Sequence, residues 1–170
     1  VEHARASLLG PKAQVIPCAA TARGYLVGGD NLRDKLFVGA AAGFDLAPFS
    51  AFAPAKIGLS LDHEPHDVLS GDVDLLAFDF SQRVFPESRA ELAIDVVRSG
   101  VCAGVAQWLR LDLDAETAYE NRPSPDAGGA TWTHIVYRFP RAFAVNTGDV
   151  VRIAVRHDRK QISVDLLEAP

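Results

Sequence analysis

The sequence predicts a mainly β protein: an antiparallel barrel or sandwich with a short N-terminal helix and a helical insertion. Three observations carry that prediction. Beyond Leu61 the chain is a series of short strand-like segments separated by turn residues, with no helical period between them. The segment Val101 to Leu113 alternates over a long run, apolar at its odd positions except for Gln107 and carrying Trp108, Arg110 and Asp112 at even ones. A second segment, Thr131 to Pro140, carries the other tryptophan, Trp132, and a polar loop broken by proline separates it from the first. Strands at such regular spacing pack face to face or close on themselves through meander or Greek-key links.

The elements follow in order. Glu2 to Leu9 reads as a helix tail with an apolar stripe at Ala4, Leu8 and Leu9, ended by Gly10-Pro11. Residues 13–19 and 21–27 are expected as two strands, with Pro17 making the first an edge or a break. Gly28-Gly29-Asp30 is a turn, and Asn31 is the expected N-cap of a short helix through Phe37. Residues 39–60 are apolar but hold neither period; Phe44, Leu46, Phe49 and Phe52 exposed together would form an interaction patch. Strands are then predicted over 72–80, 90–98, 101–113, 131–139, 150–157 and 161–167, with turns at 85–88, 146–149 and 158–160 and a tight hairpin at Ser99-Gly100.

The 170 residues suit one domain, 1–170, with a core of its own. The net charge of −5 comes from scattered acidic residues, which excludes the basic stripe of a nucleic-acid binder. No apolar run approaches the roughly 18 residues of a membrane span. A chain with no methionine that opens at Val1 reads as the C-terminal piece of a longer protein, and its opening residues do not resemble a signal peptide. Cys18 and Cys102 sit in separate apolar runs and are expected as buried free thiols rather than a long-range disulfide.

Motifs for chemistry are absent. There is no nucleophile elbow, and Cys102 lies mid-strand rather than at a helix N-terminus. His63 and His66 are three apart, but Pro65 between them disfavours a helical metal site and favours a solvated loop. A calcium loop counted from Asp112 would need Gly and Glu where Thr117 and Pro123 stand. Gly28-Gly29 and Gly128-Gly129 lack the strand–loop–helix setting of a phosphate cradle. No catalytic residue, metal or bound cofactor is therefore expected. Trp108 and Trp132 are open to two readings, as core or as the mouth of a pocket lined by Thr131, Thr133 and His134 and flanked by the loop 119–130. Alternatives are a β-sandwich module holding a small ligand or glycan at the tryptophans, or a structural domain held in an assembly by residues 39–60.

Several motifs in order resemble the C-terminal β-barrel domain of the protein arginine methyltransferase family. Ala4 to Pro11 and Val15-Ile16-Pro17-Cys18-Ala19-Ala20-Thr21 resemble its link from the catalytic domain into the barrel. Gly43-Phe44-Asp45-Leu46 looks like the Gly-Phe-Asp of its dimerisation arm. Residues 69–80 and Arg98 to Leu113 resemble its next barrel strands. Ser124-Pro125 leading to Thr131-Trp132 resembles its Ser-Pro and Thr-His-Trp loop, and Val145 to Val150 its Val-x-x-Gly turn. In the family a histidine directly precedes the tryptophan; here Thr131 does, and His134 follows two positions later.

The resemblance implies a substrate-binding and dimerisation domain of an S-adenosylmethionine-dependent, bacterial-type methyltransferase, with residues 31–60 as an inserted dimerisation arm. It implies substrate contacts from Trp108, Thr131, Trp132 and His134, and arm contacts from Phe44, Asp45, Leu46 and Phe49. The S-adenosylmethionine site and catalytic acids would lie in an upstream Rossmann-like domain, so this chain alone would bind no cofactor and catalyse nothing. The implied partners are a protein or peptide substrate, arginine-containing peptides included, and a second copy in a homodimer. The implied setting is cytoplasmic, without nucleic acid or membrane.

Overall fold

A computed structural model describes residues 2–10, 13–82, 84–124 and 132–170. Its elements are α1 (Glu2–Ser7), β1 (Ala19–Gly28), α2 (Asp30–Leu36), β2 (Ala40–Ala41), β3 (Phe44–Asp45), a 3-10 helix (Ala47–Phe52), β4 (Lys56–Leu59), β5 (Asp67–Val68), β6 (Val73–Asp79), β7 (Ser88–Asp95), β8 (Gly100–Asp112), β9 (Ala118–Glu120), β10 (His134–Val145), β11 (Val150–His157) and β12 (Ile162–Glu168). Every paired strand is antiparallel. The large sheet runs β4-β10-β8-β1, with β5 and β6 sharing the far edge of β1 and β9 extending the end of β8; β12-β11-β7 form a second sheet. The two sheets make an open sandwich rather than a closed barrel.

One core lies between the sheets, built by Leu26, Leu75, Ile94, Val105, Tyr137, Phe139, Ile153 and Val155 among others. A second lies on the outer face of the large sheet, where Leu32 and Leu36 of α2 cover Tyr25, Val27, Ala103, Ala106 and Trp108. The four-residue spacing of the two leucines puts both on one face of the short helix, and burying each is worth about 1.5–3 kcal/mol. Because β1 and β8 are covered on both faces, they read as near-continuous apolar runs.

The structure corrects several local expectations. Residues 13–18 form no strand, and a single strand starts at Ala19. Helix α2 begins at Asp30, and Gly29, not Asn31, occupies its N-cap with φ +100°, a backbone conformation suited to glycine. Ser99-Gly100 is not a hairpin: β7 pairs only with β11 and β8 with the large sheet, so the chain crosses between sheets there. The crossover is pinned by the Ser70–Val96 bridge and by Val97 N–H donating to the Leu69 carbonyl at 2.8 Å. Cys18 is exposed, its thiol donating to the Asp112 carbonyl; Cys102 is buried, and both are free.

The alternation of 101–113 also breaks. Ala103 faces α2 while Val105, two positions on, faces the core between the sheets, because the register with β1 shifts between Val27 and Gly28 and leaves Ala103 as the extra residue. At Gly104 a Cβ would lie 2.1 Å from the Tyr137 carbonyl oxygen, so only glycine permits this approach of β8 to β10. Strand β10 continues past Pro140 to Val145 because its register with β8 shifts between Arg138 and Phe143, and a residue without an N–H is tolerated at such a bulge.

Candidate functional site

The loop expected to flank a pocket leaves the sandwich after β9 and returns at Trp132. Its departing end is held by side chains drawn from distant parts of the chain. The Arg122 guanidinium pairs bidentately with Asp72, Nε to Oδ2 at 2.9 Å and Nη2 to Oδ1 at 3.1 Å. It also lies over the rings of Tyr25 and Trp108, at 5.6 and 5.7 Å from their centroids. The Trp108 indole N–H donates to Glu120 Oε1 at 2.6 Å, and the same oxygen accepts from Arg23 Nη1 at 2.8 Å. Arg23 Nε reaches Asp74 at 2.8 Å. Every charge in this group meets an opposite one, which is the condition for such a cluster to hold its geometry at the surface.

Asn121 completes the anchor. Its backbone N–H donates to the Leu109 carbonyl and its side-chain Oδ1 accepts from Leu109 N–H, so it continues the ladder of β8 past the end of β9. Its own carbonyl accepts from His134 Nε2 at 2.9 Å. A carbonyl only accepts, so Nε2 carries a proton, and Nδ1 is buried with no partner among the described residues. Ser124 N–H donates to the buried Asp62 carboxylate at 2.7 Å.

Beneath this, Tyr25 stacks on His66, and their polar atoms lie 2.9 Å apart. His66 Nδ1 donates to the Glu64 carbonyl, which leaves Nε2 to accept from the phenol. Burial raises the Tyr25 pKa above the ordinary phenol range, so it stays a neutral donor. Within the His63–His66 segment, and among all described residues, no group of three or more metal-ligating side chains comes together.

The four candidate substrate residues are thus placed differently. Trp108 is core on its ring and network on its N–H. His134 is only 1 % exposed, against the Asn121 carbonyl. Trp132 is 46 % exposed, and the Tyr119 ring meets it edge-on at 6.1 Å. Thr131 lies outside the described residues. Sequence reasoning named the tryptophans and His134 but missed Arg23, Asp72, Asn121, Glu120 and Arg122. Their partners are 12 to 97 positions away, beyond the reach of any local pattern.

Residues 38–55 stand out from the sandwich. Phe44, Phe49 and Phe52 are exposed and Leu46 is half-buried, with Phe49 and Phe52 tilted together at 6.4 Å. Asp45 accepts from Ala47 N–H, starting the 3-10 helix. Ser50 Oγ ties the base of this arm to Val38 N–H, and Arg138 of β10 donates to the carbonyls of Ser50 and Ala53. Among the described residues no helix is long and apolar enough to cross a membrane.

No family model matches the chain. It is 31 % identical over 124 residues to an "Arginine N(omega)-methyltransferase" of Streptomyces achromogenes subsp. streptozoticus, a match over 72 % of this chain and 34 % of that protein. The fold matches the Trypanosoma brucei PRMT1 enzyme-prozyme heterotetrameric complex with AdoHcy at a TM-score of 0.66, covering 91 % of this chain and 52 % of that one at 12 % identity. The chain thus spans about a third of the curated relative and about half of the solved one. The chain is therefore homologous to part of an arginine N-methyltransferase and shares the fold of part of the solved PRMT1 complex, as a fragment of that family would.

Proposed function

We propose that this chain is the substrate-binding and dimerisation domain of an S-adenosylmethionine-dependent arginine methyltransferase. The observation that carries the reading is the match to an arginine methyltransferase over 72 % of the chain. The structure supplies two surfaces that suit the role. Trp132 and Tyr119 form a half-exposed aromatic edge beside a loop anchored through Arg122, Asn121 and Ser124. The arm presents Phe44, Phe49 and Phe52 to solvent, an apolar surface that a second protomer would cover.

In this reading the methyl donor and the acids that polarise the acceptor nitrogen belong to another domain of the whole protein. Aromatic faces suit a guanidinium acceptor, which they hold by its flat cationic surface. Radiolabelled methyl transfer tests the reading: full-length protein should label arginine-containing peptides and the 170-residue chain alone should not. Absence of S-adenosylmethionine binding by the full-length protein in calorimetry would defeat it.

A further inference from the structure

Gln107 is the one polar residue at the odd positions of 101–113. Val105 and Leu109 on either side of it, and Ile135 across the sheet, pack into the core between the sheets, so it stands on a face made for apolar side chains. It is only 7 % exposed. Its Oε1 accepts from the Tyr137 hydroxyl at 2.9 Å, while Nε2, with two N–H donors, has no partner among the described residues. Tyr137 accounts for one end of the amide and not for the other. The free end is not sealed in: Gln107 lines a cleft at the mouth of the sandwich, bounded by β4 and β10 and by the turn between β11 and β12.

Two lysines flank that cleft, Lys56 of β4 and Lys160 of the turn. Among the described residues Lys35 is the only lysine in an ion pair, so neither charge is matched. Lys56 Nζ lies 5.7 Å from the centroid of the Tyr137 ring, a contact that holds the ammonium at the cleft. No aspartate or glutamate lines the cleft. Asp158, two positions from Lys160, turns its carboxylate to the backbone N–H groups of Lys160 and Gln161 at 2.9 and 2.8 Å and lines a different cleft. Phe78, Ile135 and Ile162 make the walls apolar. The volume of about 270 Å³ falls just under the roughly 300–1,000 Å³ of sites for drug-sized ligands, which suits a small molecule rather than a nucleotide.

We infer that this cleft binds a small organic carboxylate. One carboxylate oxygen accepts from Gln107 Nε2, the ammonium groups of Lys56 and Lys160 supply the opposite charge, and the apolar walls take the tail. A neutral ligand would answer the amide and leave the lysines unmatched, and an inorganic anion would leave the walls wet. The inference stands apart from the methyl-transfer reading, since neither the Trp132 edge nor the arm phenylalanines take part in the cleft.

The test is fluorine NMR of 4-fluorobenzoate and its neutral analogue 4-fluorobenzamide with the full-length protein, as wild type, Lys56→Gln, Lys160→Gln and Gln107→Leu. The benzoate should bind with a Kd of about 1 mM, the range open to a ligand of about ten heavy atoms, and the benzamide about tenfold more weakly. Each lysine variant should weaken benzoate binding about threefold to tenfold and flatten its dependence on salt. Gln107→Leu should weaken it about tenfold. That variant also strips the Tyr137 hydroxyl of its acceptor, so if circular dichroism shows it unfolded the two exposed lysines decide alone. Equal affinity for the two probes would overturn the proposal, as would benzoate binding that both lysine variants leave unchanged. No binding by the wild type up to about 20 mM would overturn it too.

Discussion

Arg122 does three things with one side chain: it pairs with Asp72, shields Trp108 and Tyr25 from water, and ties the loop's departing end to β6's approach. Because its side chain is 46 % exposed, solvent screening trims the ion pair, and the ring contacts supply much of its worth. Arg122→Ala should cost about 1–2 kcal/mol in urea unfolding, and Arg122→Lys should recover less than half of that. A change within about 0.3 kcal/mol would show the stack to be decorative.

The thiols make a second test at this scale. Burial pushes Cys102 from 9.0 up to about 12, and burial likewise raises Tyr137 from 10.0 to about 12. An acid with a raised folded pKa favours the fold below its unfolded pKa and withdraws that stability as pH climbs toward the folded one. Stability should therefore fall as pH rises from about 9 toward 12, and a flat profile there would contradict the burial of these groups. At neutral pH a disulfide reagent should titrate Cys18 in the native protein and both thiols only after unfolding.

Among elements, the strands were legible and their pairing was not. Period and turn residues located β6, β7, β8, β11 and β12 closely, since these are properties of short windows. The Ser99-Gly100 corner looks like a hairpin locally, yet the large sheet claims β8 and the small sheet claims β7. The bulge near Gly104 was hidden for the same reason: it answers to the Tyr137 backbone 33 positions away, and no neighbour in sequence signals it. Gly104→Ala should cost about 3 kcal/mol, measured by thermal or denaturant unfolding, because the clash is with backbone and cannot be relieved by a rotamer. The arm was legible as an aperiodic apolar stretch, and its phenylalanines are exposed as the patch reading requires. Replacing Phe44 and Phe49 by Asp should leave the far-UV spectrum intact and lower full-length self-association, with unchanged sedimentation counting against the arm.

At the scale of the molecule, the chain is a platform: two sheets, a helix closing the outer face, and two surfaces turned outward from it. The site was half legible. Trp132 and His134 stood beside a recognisable loop, but the network around Glu120 and Arg122 is assembled from β1, β6, β8 and β9 and their flanks by folding alone. The chain spans about a third of the curated relative's length, and the proposal made above is that it serves as the substrate-side domain of such an enzyme. Its share of the chemistry should then be seen in acceptor binding and not in cofactor binding. The most direct measurement is steady-state methyl transfer by full-length Trp132→Ala. The KM for an arginine-containing peptide should rise roughly threefold to tenfold, with the KM for S-adenosylmethionine unchanged. An unaltered acceptor KM, or a shift confined to the cofactor, would contradict the assignment of this domain to the substrate.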